Sequence, residues 1–139
     1  MNDNGRREVA VKDGESMEEL TIETQMKERF SFFLERGFTY RYFYEKGGDS
    51  SCVYIYRFQK GRDFFDIREV SGGNEINFVV YADGAYQFPV LKSLYPKQFR
   101  AFALKHLFKK PTKEEQRELI FSVLLLGIEE KTQFFGIPL

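Results

Sequence analysis

The feature that most constrains the fold is a regular alternation of large apolar and polar residues between Phe38 and Tyr81. Successive side chains of a β-strand point to opposite faces of the sheet, so a period of two predicts strands with one apolar face. Glycine-containing segments divide the alternation into four runs. The alternating residues are Phe38, Tyr40, Tyr42 and Tyr44, then Tyr54, Tyr56 and Phe58, then Phe65 and Ile67, then Ile76, Phe78 and Val80. This pattern predicts an antiparallel sheet with a heavily aromatic face.

Two turn signals predict how these strands pair. A two-residue turn at Lys60-Gly61 would place Tyr56 opposite Phe65. A turn at Gly72-Gly73 would place Phe65 opposite Val80, and glycine tolerates the positive φ that such turns need. The residues that both registers place on a buried sheet face are Tyr54, Tyr56, Phe65, Ile67 and Phe78.

Helical signals flank the sheet on both sides. Ser16 followed by Glu19 has the spacing of a capping box, and Gly37 suits the left-handed residue just past a helix. Pro96 suits a first helical turn, and Thr112 opens a second capping box. The residues predicted to form apolar helix faces are Met26, Phe30, Phe33 and Leu34 in the first helix, then Phe99, Phe102, Ala103, His106 and Leu107 in the second.

The predicted fold is of the α+β class. It is an antiparallel four- to five-stranded meander with an N-terminal helix and two C-terminal helices packed on one face. Residues 1–15 form a polar, mobile N-terminal segment, and residues 16–139 form a single domain. The pattern does not decide whether residues 85–89 join the sheet, since Asp83-Gly84 offers a turn and Pro89 restricts the segment to an edge.

Both ends of the chain carry further signals. Val9 and Val11 alternate with polar residues and could add an edge strand, whereas the apolar tail from Thr132 to Leu139 should dock on the domain.

Charge and composition narrow the class of protein. The chain has 21 basic residues (Lys and Arg) and 21 acidic residues (Asp and Glu), so its net charge is zero. It therefore lacks the overall positive field that favours binding to nucleic acid. Hydrophobic residues are 42 %, which is enough for one core. The longest apolar run, Leu119–Ile128, is too short to span a bilayer, and the N-terminus lacks the apolar region of a signal peptide. We expect a cytoplasmic protein that does not bind membranes.

Catalytic, metal and cofactor motifs were not found in the sequence. Cys52 is the single cysteine, so no intrachain disulfide or thiolate zinc cluster can form, and it is predicted to be a small buried hydrophobic residue. His106 is the only histidine and is predicted to be structural. Asp63 and Glu69 should face one side of their strand and Asp66 the other, so these carboxylates cannot converge. We therefore expect a protein without enzymatic activity, cofactor or metal.

The sheet face opposite the aromatic one carries the candidate binding residues, which are Arg41, Arg57, Asp66, Arg68 and Asn77. The derived register places Asp66 opposite Ile55. The Asp66 carboxylate would then be shared by two arginine guanidiniums. One interpretation is a site for an anionic ligand or a partner's carboxylate. The other is a solvated face with weak ion pairs, in which case replacing Arg57 and Arg68 together would hardly change the melting temperature.

The function expected from these patterns is protein interaction through the mixed arginine and apolar sheet face. An alternative is a small-molecule or single-stranded nucleic-acid binder with an aromatic pocket between sheet and helices. Zero net charge and exposed edge strands also predict a homodimer at high concentration.

Overall fold

A computed structural model of the protein describes residues 6–8, 17–46, 52–70, 75–126, 128 and 132–139, with the backbone alone for residues 6–8 and 17–21. The helices are α1 (Met17–Arg29), α2 (Ser31–Glu35), α3 (Leu91–Leu94), α4 (Pro96–Lys105) and α5 (Lys113–Leu124). The strands are β1 (Arg6–Glu8), β2 (Thr39–Lys46), β3 (Cys52–Lys60), β4 (Asp63–Val70), β5 (Glu75–Ala82), β6 (Ala85–Gln87), β7 (Gln133–Phe134) and β8 (Ile137–Pro138). The predicted α+β class is confirmed.

The main sheet is an antiparallel meander in which β1 to β6 lie side by side in chain order. It has six strands where four to five were predicted, because a three-residue strand is added at each edge. Of residues 85–89, Ala85–Gln87 join the sheet and Pro89 lies beyond it. At the other edge the added strand is Arg6–Glu8, whereas the candidate segment Val9–Val11 lies outside the described residues.

The turn between β3 and β4 corrects the predicted register. Lys60 pairs with Asp63, so Gly61-Arg62 and not Lys60-Gly61 forms the turn. Gly61 has a φ of +64° and occupies the first position of the turn. In the predicted turn Lys60 would have held that position, where a positive φ is strained for any residue with a Cβ atom. The pairing therefore shifts by two residues, which leaves every side chain on its predicted face but places Tyr56 opposite Ile67.

The pairing of β4 with β5 agrees with the prediction, since Ile67 lies opposite Phe78 and Phe65 opposite Val80. The glycine pair proposed as their turn, Gly72-Gly73, lies outside the described residues, as do Gly47-Gly48. Between β5 and β6, Asp83 and Gly84 both have positive φ, the mark of a tight two-residue hairpin turn.

The aromatic face of the sheet is the core of the molecule, where α1, α2, α5 and the C-terminal tail cover it. Four of the five residues predicted to be buried there are buried, and the fifth, Tyr54, is partly buried. Phe30 and Phe33 bring their rings to within about 6 Å of Phe58 and Phe65. The predicted docking of the tail is confirmed, because Phe134 and Ile137 are buried in this core.

The helices depart from the prediction in two places. The first predicted helix is divided at Phe30, where φ is −108° and ψ is 26°, and its second part ends at Gly37 with a positive φ as predicted. The division directs Phe33 into the core against Phe38. The capping box predicted at Ser16 lies outside the described residues, whereas the one formed by Thr112 and Glu115 is present.

The helix that begins at Pro96 has no buried residue at all, although one face was predicted to be apolar and packed. Phe99 and Phe102 are partly buried, whereas Ala103 and Leu107 are exposed. It is preceded by α3, which the sequence pattern did not predict. In the described part of the chain, no helix is long and apolar enough to cross a membrane.

Candidate functional site

The outer sheet face, opposite the core, carries an ion-pair network centred on Asp66. Arg57 donates from Nε to Asp66 Oδ1 at 2.7 Å and from Nη2 to Oδ2 at 3.0 Å. Arg68 donates from Nε and Nη2 to the same Oδ2, at 3.0 and 2.7 Å. One carboxylate is therefore shared by two guanidiniums, as the sequence predicted, through charge-assisted bonds in a fork geometry.

The surroundings of this network differ from the prediction in two respects. Arg57 lies directly opposite Asp66, and Ile55 lies opposite Arg68, because of the corrected turn. The face is also not solvated at this point, since Asp66 is 0 % and Arg57 8 % exposed. The Arg57 guanidinium lies 3.7 Å from the centroid of the Phe64 ring, in cation–π geometry. A buried carboxylate needs its partners, so the network is a structural element.

The five candidate residues separate into an interior and a rim. Arg57 and Asp66 form the interior, whereas Arg41, which lies opposite Arg57 across β2 and β3, is exposed. Arg68 and Asn77 lie opposite each other on β4 and β5 and are more exposed. These two rim residues line a groove at the edge of the sheet, in the part of the chain that the structure describes.

The groove has a volume of about 440 Å³ and lies beside β5. Residues 76–79 of β5 and residues 88–92 line it, together with Arg68, Phe99 and Ile120. Its lining is mostly apolar, with a few polar groups at the rim, as is usual for binding sites in proteins.

The groove exists because β6 is much shorter than β5. The β6 strand ends at Gln87, opposite Val80, so no described strand lies beside the first half of β5. Pro89 has no N–H group and cannot continue a ladder, and the chain turns into α3 at Leu91. Among the described strands, none pairs with this part of β5 on the side of the groove, and we refer to it as the open edge of β5.

The backbone groups that face this open edge follow from the turns. Ala82 and Ala85 close a two-residue turn, so they form a hydrogen-bonded pair and Ala82 directs its N–H and C=O toward β6. Alternate residues of β5 share that direction, which assigns the backbone of Phe78 and Ile76 to the groove. The turn at Gly61-Arg62 leads to the same assignment, because the alternation of backbone hydrogen-bond directions can be followed from that turn along β4 to β5.

The charged residues that line the groove are basic, whereas the acidic Glu75 lies just outside the lining and accepts a hydrogen bond from Asn77. Arg68 and Lys92 are the charged residues of its lining, and no aspartate or glutamate lines it. Residues 84–113 contain no acidic residue, and their basic residues are Lys92, Lys97, Arg100, Lys105, Lys109, Lys110 and Lys113. Large apolar side chains are exposed in the same segment, namely Phe88, Val90, Leu94, Leu104, Leu107 and Phe108. Contiguous exposed apolar patches with a polar rim are characteristic of interaction sites.

A second buried ion pair, between Glu69 and Arg117, was missed by the sequence analysis. Arg117 of α5 donates from Nε to Glu69 Oε2 at 2.6 Å and from Nη2 to Oε1 at 3.1 Å, on the core side of the sheet. Although burial opposes the charge, the bonds to Glu69 raise the pKa of Arg117 above its ordinary value. The predicted position of Glu69 on the aromatic face was the available signal, since a buried carboxylate requires a partner.

Among the tyrosines of the aromatic face, Tyr42 and Tyr56 belong to the core, and Tyr40 and Tyr54 are partly buried against it. Burial raises the pKa of Tyr56 well above its usual value, and the neighbouring Glu69 raises it further. Burial likewise raises the pKa of Tyr40, with a further contribution from Glu23. These phenols stay neutral at physiological pH, and stacking of nucleic-acid bases needs exposed rings that buried core residues do not offer.

The remaining candidate residues occupy structural positions. Cys52 is half-buried and not fully buried as predicted, with its Sγ 2.7 Å from the Tyr44 hydroxyl. His106 packs its ring on Phe102 at 4.5 Å and has its Nε2 atom 3.7 Å from Glu115 Oε2. Within the described ranges, no group of three or more His, Cys, Asp or Glu side chains could hold a metal ion.

Comparison of the chain with protein-family models, with curated proteins and with solved structures found no match.

Proposed function

We propose that this chain is a small, non-enzymatic, cytoplasmic protein-interaction domain that binds its partner in the groove beside β5. The observation that carries the proposal is the coincidence of three features at one place: an open sheet edge, an apolar groove and a positive rim. Arg68 and Asn77, two of the residues singled out in the sequence, belong to that rim. Arg57 and Asp66 support it from the interior.

A protein partner fits this groove better than the alternative ligand does. The small-molecule or single-stranded nucleic-acid hypothesis placed the ligand between the sheet and the helices, against exposed aromatic rings. That space is occupied by the fully buried rings of Phe30, Phe33, Phe58 and Phe65. The exposed apolar residues instead extend outside the groove, from Phe88 to Phe108, which suits the larger contact area of a protein.

Site-specific photo-crosslinking tests the proposal. A photoreactive amino acid replaces Val90 at the groove or, as a control, Thr24, which is exposed on α1. We expect discrete adducts in a native lysate from position 90 and not from position 24. Lys92→Glu in the same protein should abolish those adducts, because it reverses the charge at the rim.

Equal labelling from both positions, or adducts that survive Lys92→Glu, would contradict the groove as the interaction site. Circular dichroism and the melting temperature of the Lys92→Glu protein serve as folding controls, since Lys92 is exposed and its replacement should leave both unchanged.

A further inference from the structure

We infer that the groove takes an extended peptide with alternating apolar and acidic residues, which pairs with the open edge of β5 as an added strand. This inference rests on the proposed function, because it specifies the mode of binding and the chemistry of the partner in the same groove.

The backbone of β5 provides the docking template. Ile76 and Phe78 each direct one N–H and one C=O toward the groove, so an added strand can form up to about four ladder hydrogen bonds with them. Such a strand would lie about 4.8 Å from β5. No described strand lies at this position, and residues 76–79 of β5 line the groove there.

The two sides of the groove specify the side chains of the guest strand. On the core side, the groove is lined by Phe78, Phe99 and Ile120, which are apolar. On the outer side, Asn77 and Arg68 lie opposite each other across β4 and β5. Because side chains of a strand alternate between faces, the guest should be apolar at every second position and acidic at the positions between.

The charge of the surroundings supports an acidic partner. Lys92 lies on the groove lining, and the basic segment of residues 84–113 continues beyond it without any acidic residue. A peptide with basic residues at the outer positions would meet like charges, which costs free energy and slows association.

A second copy of this chain is a poorer occupant of the groove. The residues of its own β5 that face outward are Glu75, Asn77, Val79 and Tyr81, so only one of the four is acidic. The partner we infer is therefore a different protein, whose segment is extended and acidic on one face.

Nuclear magnetic resonance titration of the full chain with short peptides tests the inference. The probe is a capped seven-residue peptide in which glutamate alternates with valine, and its matched control has lysine in place of glutamate. We expect the amide signals of Ile76 and Phe78 to shift and their hydrogen exchange to slow with the glutamate peptide. The lysine peptide should bind at least about tenfold more weakly, with a difference that shrinks in high salt.

Two N-methylated forms of the glutamate peptide identify the binding mode. One is methylated on the valine nitrogens and the other on the glutamate nitrogens. Alternate N–H groups of a strand point to opposite sides, so only one set can bond to β5. We expect the two forms to differ in affinity by at least about tenfold, since one of them loses several backbone hydrogen bonds.

The outcomes separate the mode of binding from the function. Groove-specific crosslinks together with equal affinities of the two methylated peptides would overturn strand addition and leave the proposed function standing. Protection of Ile76 and Phe78 that rises with protein concentration, without peptide, would make a second copy the occupant and would also overturn the inference. Absence of any binding by the glutamate peptide would contradict it directly.

Discussion

Asp66 and Glu69, three residues apart on β4, direct two buried carboxylates to opposite faces of one sheet. Asp66 is held by Arg57 and Arg68 on the outer face, and Glu69 by Arg117 on the core face. Removing the partner of either carboxylate should cost more free energy of folding than the intact pair contributes. The reason is that a buried charge without a partner has lost its hydration and gains nothing in return. At the scale of single residues, these arginines are therefore part of the fold.

Replacing Arg57 by alanine should destabilise the protein by about 3–5 kcal/mol, because it leaves Asp66 buried with only part of its compensation. Urea unfolding at neutral pH measures this change. Arg62→Ala is the matched control, since Arg62 is exposed in the turn before β4 and its loss should cost less than about 0.5 kcal/mol. Equal stability of the two variants would mean that the outer face is solvated after all.

The pair of Glu69 and Arg117 should behave non-additively. Arg117→Met alone should cost about 3–5 kcal/mol, whereas Arg117→Met together with Glu69→Leu should recover most of that loss, because no unpaired charge then remains. A double-mutant cycle in urea gives the coupling free energy. Additive losses would show that the two side chains do not depend on each other.

At the scale of elements, the helix α5 is the part in which local sequence and structure agree most closely. Thr112 accepts a hydrogen bond from the Glu115 backbone N–H, and the Glu115 carboxylate accepts one from the Thr112 N–H at 2.9 Å. The bond from the Thr112 backbone is the main reason that the pKa of Glu115 is lowered. The contribution of Glu115 to stability is thus present above the usual carboxyl pKa and is lost as the pH falls through the lowered value.

Thr112→Ala should lower the free energy of unfolding by about 1 kcal/mol at neutral pH, because the α5 backbone loses its cap. Lys113→Ala, one residue further along the same helix, provides the control and should have little effect. Thermal unfolding of the two variants makes the comparison. A larger loss for Lys113→Ala would show that the cap does not stabilise the helix.

The faces of the strands could be predicted from sequence, and the edge of the sheet could not. A period of two assigns Tyr56 and Phe65 to the core, and a shift of the register by an even number of residues does not change this. The misplaced turn at Lys60-Gly61 therefore left the predicted faces correct. The register itself depended on which residue takes the positive φ, and Gly61 takes it at the first turn position. The contact of Asp66 with two guanidiniums was predicted, but its direct pairing with Arg57 was not, because the predicted register was shifted by two residues.

The groove and the exposed position of α4 could not be predicted from the sequence, for a different reason. The groove arises where β6 stops, and it is completed by Ile120 from a distant helix, so no local pattern marks it. The apolar face of α4 has the spacing of a buried helix, yet Leu104 and Leu107 are exposed. Periodicity reports that a face is apolar and does not report what covers it.

At the scale of the whole molecule, the two sides of the sheet have separate roles. The aromatic side forms a closed core with the helices, and the outer side holds a buried ion-pair network. The groove at the edge of β5 lies beside these two layers, and our proposal places the partner there. Large apolar residues are also exposed in the segment that follows β6, including Phe108 at 98 % exposure.

The homodimer expected from zero net charge and exposed edge strands stays a prediction. We expect the mass measured by light scattering to rise toward that of a dimer at high protein concentration. Addition of the saturating glutamate peptide should leave that rise unchanged, because the peptide and not a second copy occupies the groove. A constant monomer mass at every soluble concentration would contradict the dimer, and dissociation by the peptide would place its interface at β5.

Amide hydrogen exchange of the free protein tests the open edge of β5 most directly. Asn77 and Val79 donate toward β4 in our assignment, whereas Ile76 and Phe78 face the groove. We predict that the amides of Asn77 and Val79 exchange at least about tenfold more slowly than those of Ile76 and Phe78, in strict alternation along the strand. Equal protection of all four amides would contradict the account, because the edge of β5 would then already be paired.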